Sequence, residues 1–131
     1  MLALAMLLAA AQPPLRSTVF RPDSARSARA TASGSNTSLV DTVTATFGRL
    51  EAHVTKVAPG QSPHAPHKHP DEELILLMHG TLEVTQEGTV RLARPGDVIF
   101  QASNEMHGLK NVGPDTASYY VIRPDPRPAK R

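Results

Sequence analysis

His67 and His69 stand two residues apart, Glu73 follows four residues after His69, and a third histidine, His107, comes thirty-four residues later. Side chains at i and i+2 of a strand leave the backbone on one face, so His67 and His69 are expected to project together. Pro70-Asp71 make a turn between them and Glu73, which lets that carboxylate approach the same face from the next strand. His107 can join them only if a folded sheet carries it back. Three imidazoles and one carboxylate form a borderline-hard donor set suited to Mn, Fe, Co, Ni, Cu or Zn, with coordination positions left for water or substrate. The chain has no cysteine, which excludes thiolate zinc sites, cysteine nucleophiles and disulfide scaffolds.

The remaining histidines and neighbouring groups have simpler readings. His64 reads as a solvated loop residue that could also serve at the entrance of a site. His53, in a β-prone run, and His79, before a glycine, read as partnered or exposed groups. Glu72 is expected to be an exposed neighbour of Glu73, since a strand turns adjacent residues to opposite faces. Met78 and Met106 read as core or pocket lining, because thioethers suit this hard ligand set poorly.

The elements that must position the candidate ligands are short and extended. Leu50–Val57 is β-prone and stops at Pro59-Gly60; further runs follow at 74–78, 81–85, 89–92, 98–101 and 118–122, punctuated by Gly80, Gly88 and Pro95-Gly96. Short strands at this spacing, with no amphipathic helix between them, predict an all-β sandwich or barrel. At 131 residues the chain has room for one such domain, placed here at residues 47–122. Residues 12–46, rich in Ser, Thr, Ala and Arg without an apolar period, are expected to form an arm or linker, and the proline-rich basic stretch 123–131 a loose tail.

Met1 to Ala11 is apolar and ends in three alanines. It is too short to span a bilayer but suits an export signal, so a periplasmic or secreted protein without a stable membrane anchor is expected; a cytoplasmic location is the alternative, because no basic residue precedes the run. The net charge of +2 divides into +2 for residues 1–46, −3 for 47–122 and +3 for 123–131. A mildly acidic centre between basic flanks, with no aromatic or Gly-rich binding pattern, points away from nucleic acid.

Gly60, His67, His69, Glu73 and Gly80 resemble the first motif of the cupin superfamily, and Gly96, His107 and Asn111 its second motif at the family's spacing. The fifteen residues between Gly80 and Gly96 fit the small single-domain bacterial type. Two departures concern geometry. Six residues instead of five separate Gly60 from His67, and Ala102 and Asn104 replace the usual proline and glycine. Asparagine tolerates the left-handed backbone better than most residues, so the turn at Asn104 can survive.

The resemblance implies a double-stranded β-helix, or jelly-roll barrel, holding a divalent transition metal through His67, His69, Glu73 and His107. It implies a pocket in the barrel mouth whose guest is a small oxygen-rich molecule, and an enzyme of dioxygenase or isomerase type in which Glu73 serves as ligand or base. A non-catalytic metal-dependent binder of small molecules or sugars is the alternative; with no Trp, three Phe and two Tyr, aromatic platforms for sugars are few. A storage role fits the retained ligands less well. Cupin barrels commonly pair, so a homodimer is expected, with the Leu15–Phe20 arm as one route to the partner's sheet.

Overall fold

The strand-rich reading becomes two antiparallel sheets in the computed structural model, which describes residues 12–24 and 28–126. After a single 3-10 turn at Pro22–Ser24 come β1 (Ala28–Thr31), β2 (Gly34–Thr42), β3 (Arg49–Val57), β4 (Glu73–His79), β5 (Leu82–Gln86), β6 (Thr89–Ala93), β7 (Val98–Gln101), β8 (His107–Asn111) and β9 (Ala117–Asp125). One sheet has the order β1-β2-β3-β9-β4-β7 and the other β6-β5-β8. Because no sequential crossover is parallel, the chain winds between the sheets as a jelly roll.

The alternation expected of half-buried strands is plain in β4, where Ile75 and Leu77 are buried while Leu74, Leu76 and Met78 face out. Ile75 and Leu77 join Val57, Leu82, Val84, Ala93, Ile99, Leu109, Ala117, Tyr119 and Val121 in one core between the sheets. Gly80 closes the β4–β5 turn with φ of 88°, and a Cβ there would lie 2.7 Å from Ala117, so the turn needs glycine for both conformation and space. Met78 and Met106 are exposed, contrary to the lining role expected of them; the pleat turns Met78 outward and Met106 lies in the loop before β8.

Three boundaries differ from the sequence reading. Residues 28–42, expected as part of an arm, form β1 and β2, and β2 pairs with β3 along its length. The Ser, Thr and Asn of β2 have no apolar period because this strand helps to wall a polar cavity. β8 was not among the expected strands, although it carries His107. Arg123 to Asp125, placed in the tail, continue β9 against β3, with Leu50 opposite Pro124. The ladder between β9 and β4 ends at Ile122, so Pro124 stands where the strand has one neighbour and its missing N–H is tolerated. The apolar start Met1 to Ala11 and residues 127–131 lie outside the described residues.

Candidate metal centre

His67 and His69 are not on a strand, as the spacing suggested, but on the loop between β3 and β4. Backbone pairing replaces the strand. His67 N–H donates to the His107 carbonyl at 3.0 Å and His107 N–H to that of His67 at 2.9 Å, an isolated antiparallel bridge. Further stitches hold the loop to the second motif. Asn104 N–H donates to the His69 carbonyl at 2.8 Å, Ser103 Oγ to the Pro70 carbonyl at 2.7 Å, and Gly60 and Asn111 link to Asn111 and Gln61 carbonyls at 2.9 Å. Asn104 has φ of 61°, the left-handed conformation anticipated for an asparagine in a glycine place.

This seam brings the three imidazoles together, with one ligand nitrogen from each within 4.8 Å of the others. The tautomers of His69 and His107 follow from neighbouring carbonyls, which can only accept. His69 Nδ1–H donates to the Asp71 carbonyl at 2.8 Å and His107 Nδ1–H to that of Glu105 at 2.9 Å. Both Nε2 lone pairs are therefore free for an ion, and both Nε2 atoms, with His67 Nδ1, are buried without a hydrogen-bond partner. Buried polar atoms are rarely left unpaired. Burial, reinforced by the imidazoles of His64, His107 and His69, lowers His67 from its ordinary value and so favours the neutral form that binds metals. The donor set thus fits a divalent transition metal.

Glu73 begins β4, and its Oε2 lies 3.6 Å from His69 Nε2. It faces the same cavity as the histidines, whereas Glu72 is exposed, in keeping with the strand pleat. Glu73 lies outside the compact three-histidine group and is shared with Arg123, whose Nε is 3.9 Å from the same oxygen. His53 lines the cavity with Nδ1 3.2 Å from Glu51 Oε1, a partnered group and not a ligand. His64 stands at the mouth, its exposed ring edge-on to His67 at 4.3 Å, and His79 is exposed at the end of β4.

The cavity over the histidines has a volume of about 430 Å³. Its walls include residues that composition did not single out. Tyr119 is buried on β9, and burial first, then the negative charge of Glu73, raises its hydroxyl so that it stays protonated, while a hydrogen bond with Thr55 acts in the opposite direction. Asn36 Nδ2–H donates to Thr55 Oγ1 at 3.3 Å, joining β2 to that wall. Asn111, the last residue of the second motif, holds the fold: it is fully buried, donates to the carbonyls of Val57 and Asp115 at 2.9 Å and 2.8 Å, and accepts from Gly113 N–H. The alternation that marked Tyr119 was a readable signal; the pairing of Arg123 with Glu51 and the polar stretch of β2 gave none.

Comparison with known proteins agrees with this fold. The family model described as cupin domain matches residues 53–123. No curated protein sequence matches the chain. The fold is similar to that of KdgF from Halomonas sp., with a TM-score of 0.68 and 22% identity over 86% of this chain and 96% of that one. The polyketide cyclase RemF from Streptomyces resistomycificus gives a TM-score of 0.67 and 22% identity over 83% and 80% of the two chains. An oxalate oxidase is 27% identical with a TM-score of 0.54, over 61% of this chain and 44% of that chain. With more than half of its length matched by the family model, this chain belongs to the cupin domain family.

Proposed function

We propose that this protein is a metal-dependent cupin enzyme that acts on a small oxygen-rich molecule by chemistry of the dioxygenase or isomerase type. The observation that carries the reading is the convergence of three imidazole nitrogens, each buried and unpartnered, on the floor of a cavity that also holds a carboxylate. His67, His69 and His107 would hold the ion, one of Mn, Fe, Co, Ni, Cu or Zn, and Glu73 would complete the set. When bound, such an ion supplies Lewis acidity toward adjacent substrate oxygens.

The chain's own groups provide the rest. Glu73 can take a proton from a substrate carbon or hydroxyl, and its place beside Tyr119 gives it a neutral neighbour that can donate a hydrogen bond to a developing oxyanion. Asn36, Thr55 and Ser35 offer polar contacts for hydroxyl and carbonyl oxygens on the facing wall. Two similar structures bear the names of enzymes, a cyclase and an oxidase, which supports catalysis over storage. Elemental analysis of protein purified without added metal, followed by a substrate screen with oxygen monitoring, tests the reading; product formed by the metal-loaded protein supports it, and binding without consumption of any candidate would favour a non-catalytic binder.

The protein is further proposed to be a homodimer. Leu74, Leu76 and Met78 on β4, Val98 and Phe100 on β7 and Ile122 on β9 are exposed on one face of the six-stranded sheet, with Leu74 opposite both Phe100 and Ile122. A contiguous apolar sheet face of this kind suits a second copy. Leu15 N–H, at the start of the Leu15–Phe20 arm, donates to the Val43 carbonyl at 3.1 Å, and the arm remains one route to the second copy.

A further inference from the structure

Arg123 extends from β9 toward the edge of the histidine cluster and there meets three carboxylates. Nη2 donates to Asp71 Oδ2 at 2.7 Å and Nη1 to Glu51 Oε2 at 3.2 Å, while Nε lies 3.9 Å from Glu73 Oε2. Glu51 is the cross-strand partner of Arg123 on β3, but Asp71 and Glu73 belong to the segment that follows His69. The guanidinium therefore spans from the sheet to the ligand loop.

Asp71 has two functions in this arrangement. Its carboxylate accepts from Arg123, and its backbone carbonyl accepts from His69 Nδ1–H at 2.8 Å. Guanidinium, aspartate and imidazole form one chain, and the hydrogen bond on the far nitrogen of a ligating histidine fixes its tautomer and the aim of its ring. A second connection runs through Glu73, which is 3.6 Å from His69 Nε2. Arg123 Nε is buried with its hydrogen bond unmade. On the opposite side of Glu73 its register partner Gln101 is also buried, and Gln101 Nε2 likewise lacks a partner. Glu73 thus lies between strands that each present a buried donor short of one bond.

We propose that Arg123 is a positioning residue of the metal centre, aiming His69 through Asp71 and steadying Glu73 through Nε. The inference rests on the metal-binding reading above. A planar guanidinium fixes several acceptors at set angles, whereas an ammonium offers a charge without that geometry, so Arg123→Lys is the informative change.

The test is titration of the full-length protein with Co(II), read by equilibrium dialysis and by the visible spectrum of the bound ion. Arg123→Lys should weaken Co(II) binding on the order of 10-fold and change the spectrum, with a folded β-sheet signal by circular dichroism. Asp71→Asn should do the same, and the double variant should lose no more than the worse single variant, since both act on His69 in series. His79→Ala, on the exposed end of β4, should bind as the wild type does. Wild-type affinity and spectrum in folded Arg123→Lys would overturn the proposal, as would losses that simply add in the double variant. Should Arg123→Lys not fold, Asp71→Asn decides alone by the same criterion. Failure of the wild type to bind Co(II) would overturn the metal reading itself, which sets that outcome apart from failure of the positioning role alone.

Discussion

His67 and His107, forty residues apart, exchange both backbone hydrogen bonds, at 3.0 Å and 2.9 Å. Two of the three converging imidazoles are thus placed by their main chains. The side chains can be changed while the bridge that positions them persists.

Replacing His107 by alanine should therefore abolish most metal binding yet leave the barrel standing. His107 is buried, so truncation leaves a small void and costs about 1–3 kcal/mol. Metal content by elemental analysis should fall by at least about 10-fold beside an unchanged far-ultraviolet dichroism spectrum. Wild-type stoichiometry in this variant would remove His107 from the ligand set. His53→Ala, which alters a group paired with Glu51, should keep its metal.

Glu73→Gln keeps the size of the side chain and one oxygen donor but removes the charge. Metal affinity should fall moderately, and turnover at restored metal occupancy should drop on the order of 100-fold if the carboxylate acts as base. Undiminished turnover by the loaded variant would end the role assigned to Glu73.

Acid should destabilise the fold through the cluster beneath the site. The hydrogen bond from His53 holds Glu51 below its ordinary value, burial opposes this, and Arg123 and Arg49 add to the lowering; Arg49 lowers Asp41 in the same way. A carboxylate lowered in the folded state contributes stability above its unfolded value, and that contribution is lost as the pH falls through the folded one. Urea midpoints should accordingly decline below the ordinary carboxylate value of 4.5. The decline should be shallower in Glu51→Gln; an identical acid limb in that variant would show that Glu51 is not a source of the loss.

Asn111→Ala removes three hydrogen bonds at a fully buried position and leaves the carbonyls of Val57 and Asp115 without that donor. The cost should be about 2–4 kcal/mol, read as a fall in the denaturation midpoint. A loss under about 0.5 kcal/mol, typical of an ordinary surface change, would mean that water or a neighbour satisfies those carbonyls.

For the dimer, Phe100→Glu and Leu76→Glu place charges in the exposed face of β4 and β7 without touching the core side. Light scattering should find two copies in the wild type and one in the double variant. A dimer that survives both changes would move the interface elsewhere.

The candidate site was legible in the sequence because a metal centre demands particular residue types, and the structure brings His67, His69 and His107 together with Glu73 at the edge of the cluster. The strands of the core were legible wherever inside meets outside in alternation, as in Ile75 and Leu77 between Leu74, Leu76 and Met78. What escaped was polar or non-local. β2 offers Ser35, Asn36 and Thr37, whose strand character comes from pairing with β3, and a polar cavity wall shows no apolar period. Arg123 stands before a proline-rich run that resembles a tail, and only its register opposite Glu51 reveals it as part of the site. The i, i+2 spacing of His67 and His69 suits a strand, but their segment is a loop held by one long-range backbone bridge to His107, which the spacing does not reveal.

The stitches between the two motifs also have a kinetic meaning. Bonds from His67, Asn104, His107, Ser103, Gly60 and Asn111 close one continuous seam between the β3–β4 loop and the segment that leads into and through β8. A seam of mutually dependent bonds opens as a unit, so the amide protons of His67, Asn104 and His107 should exchange with deuterium at a common rate. Opening it would part the main chain of His67 and His69 from that of His107. Opening of the seam is thus a route by which the three-imidazole cluster comes apart, and protection of these amides reports how often it does.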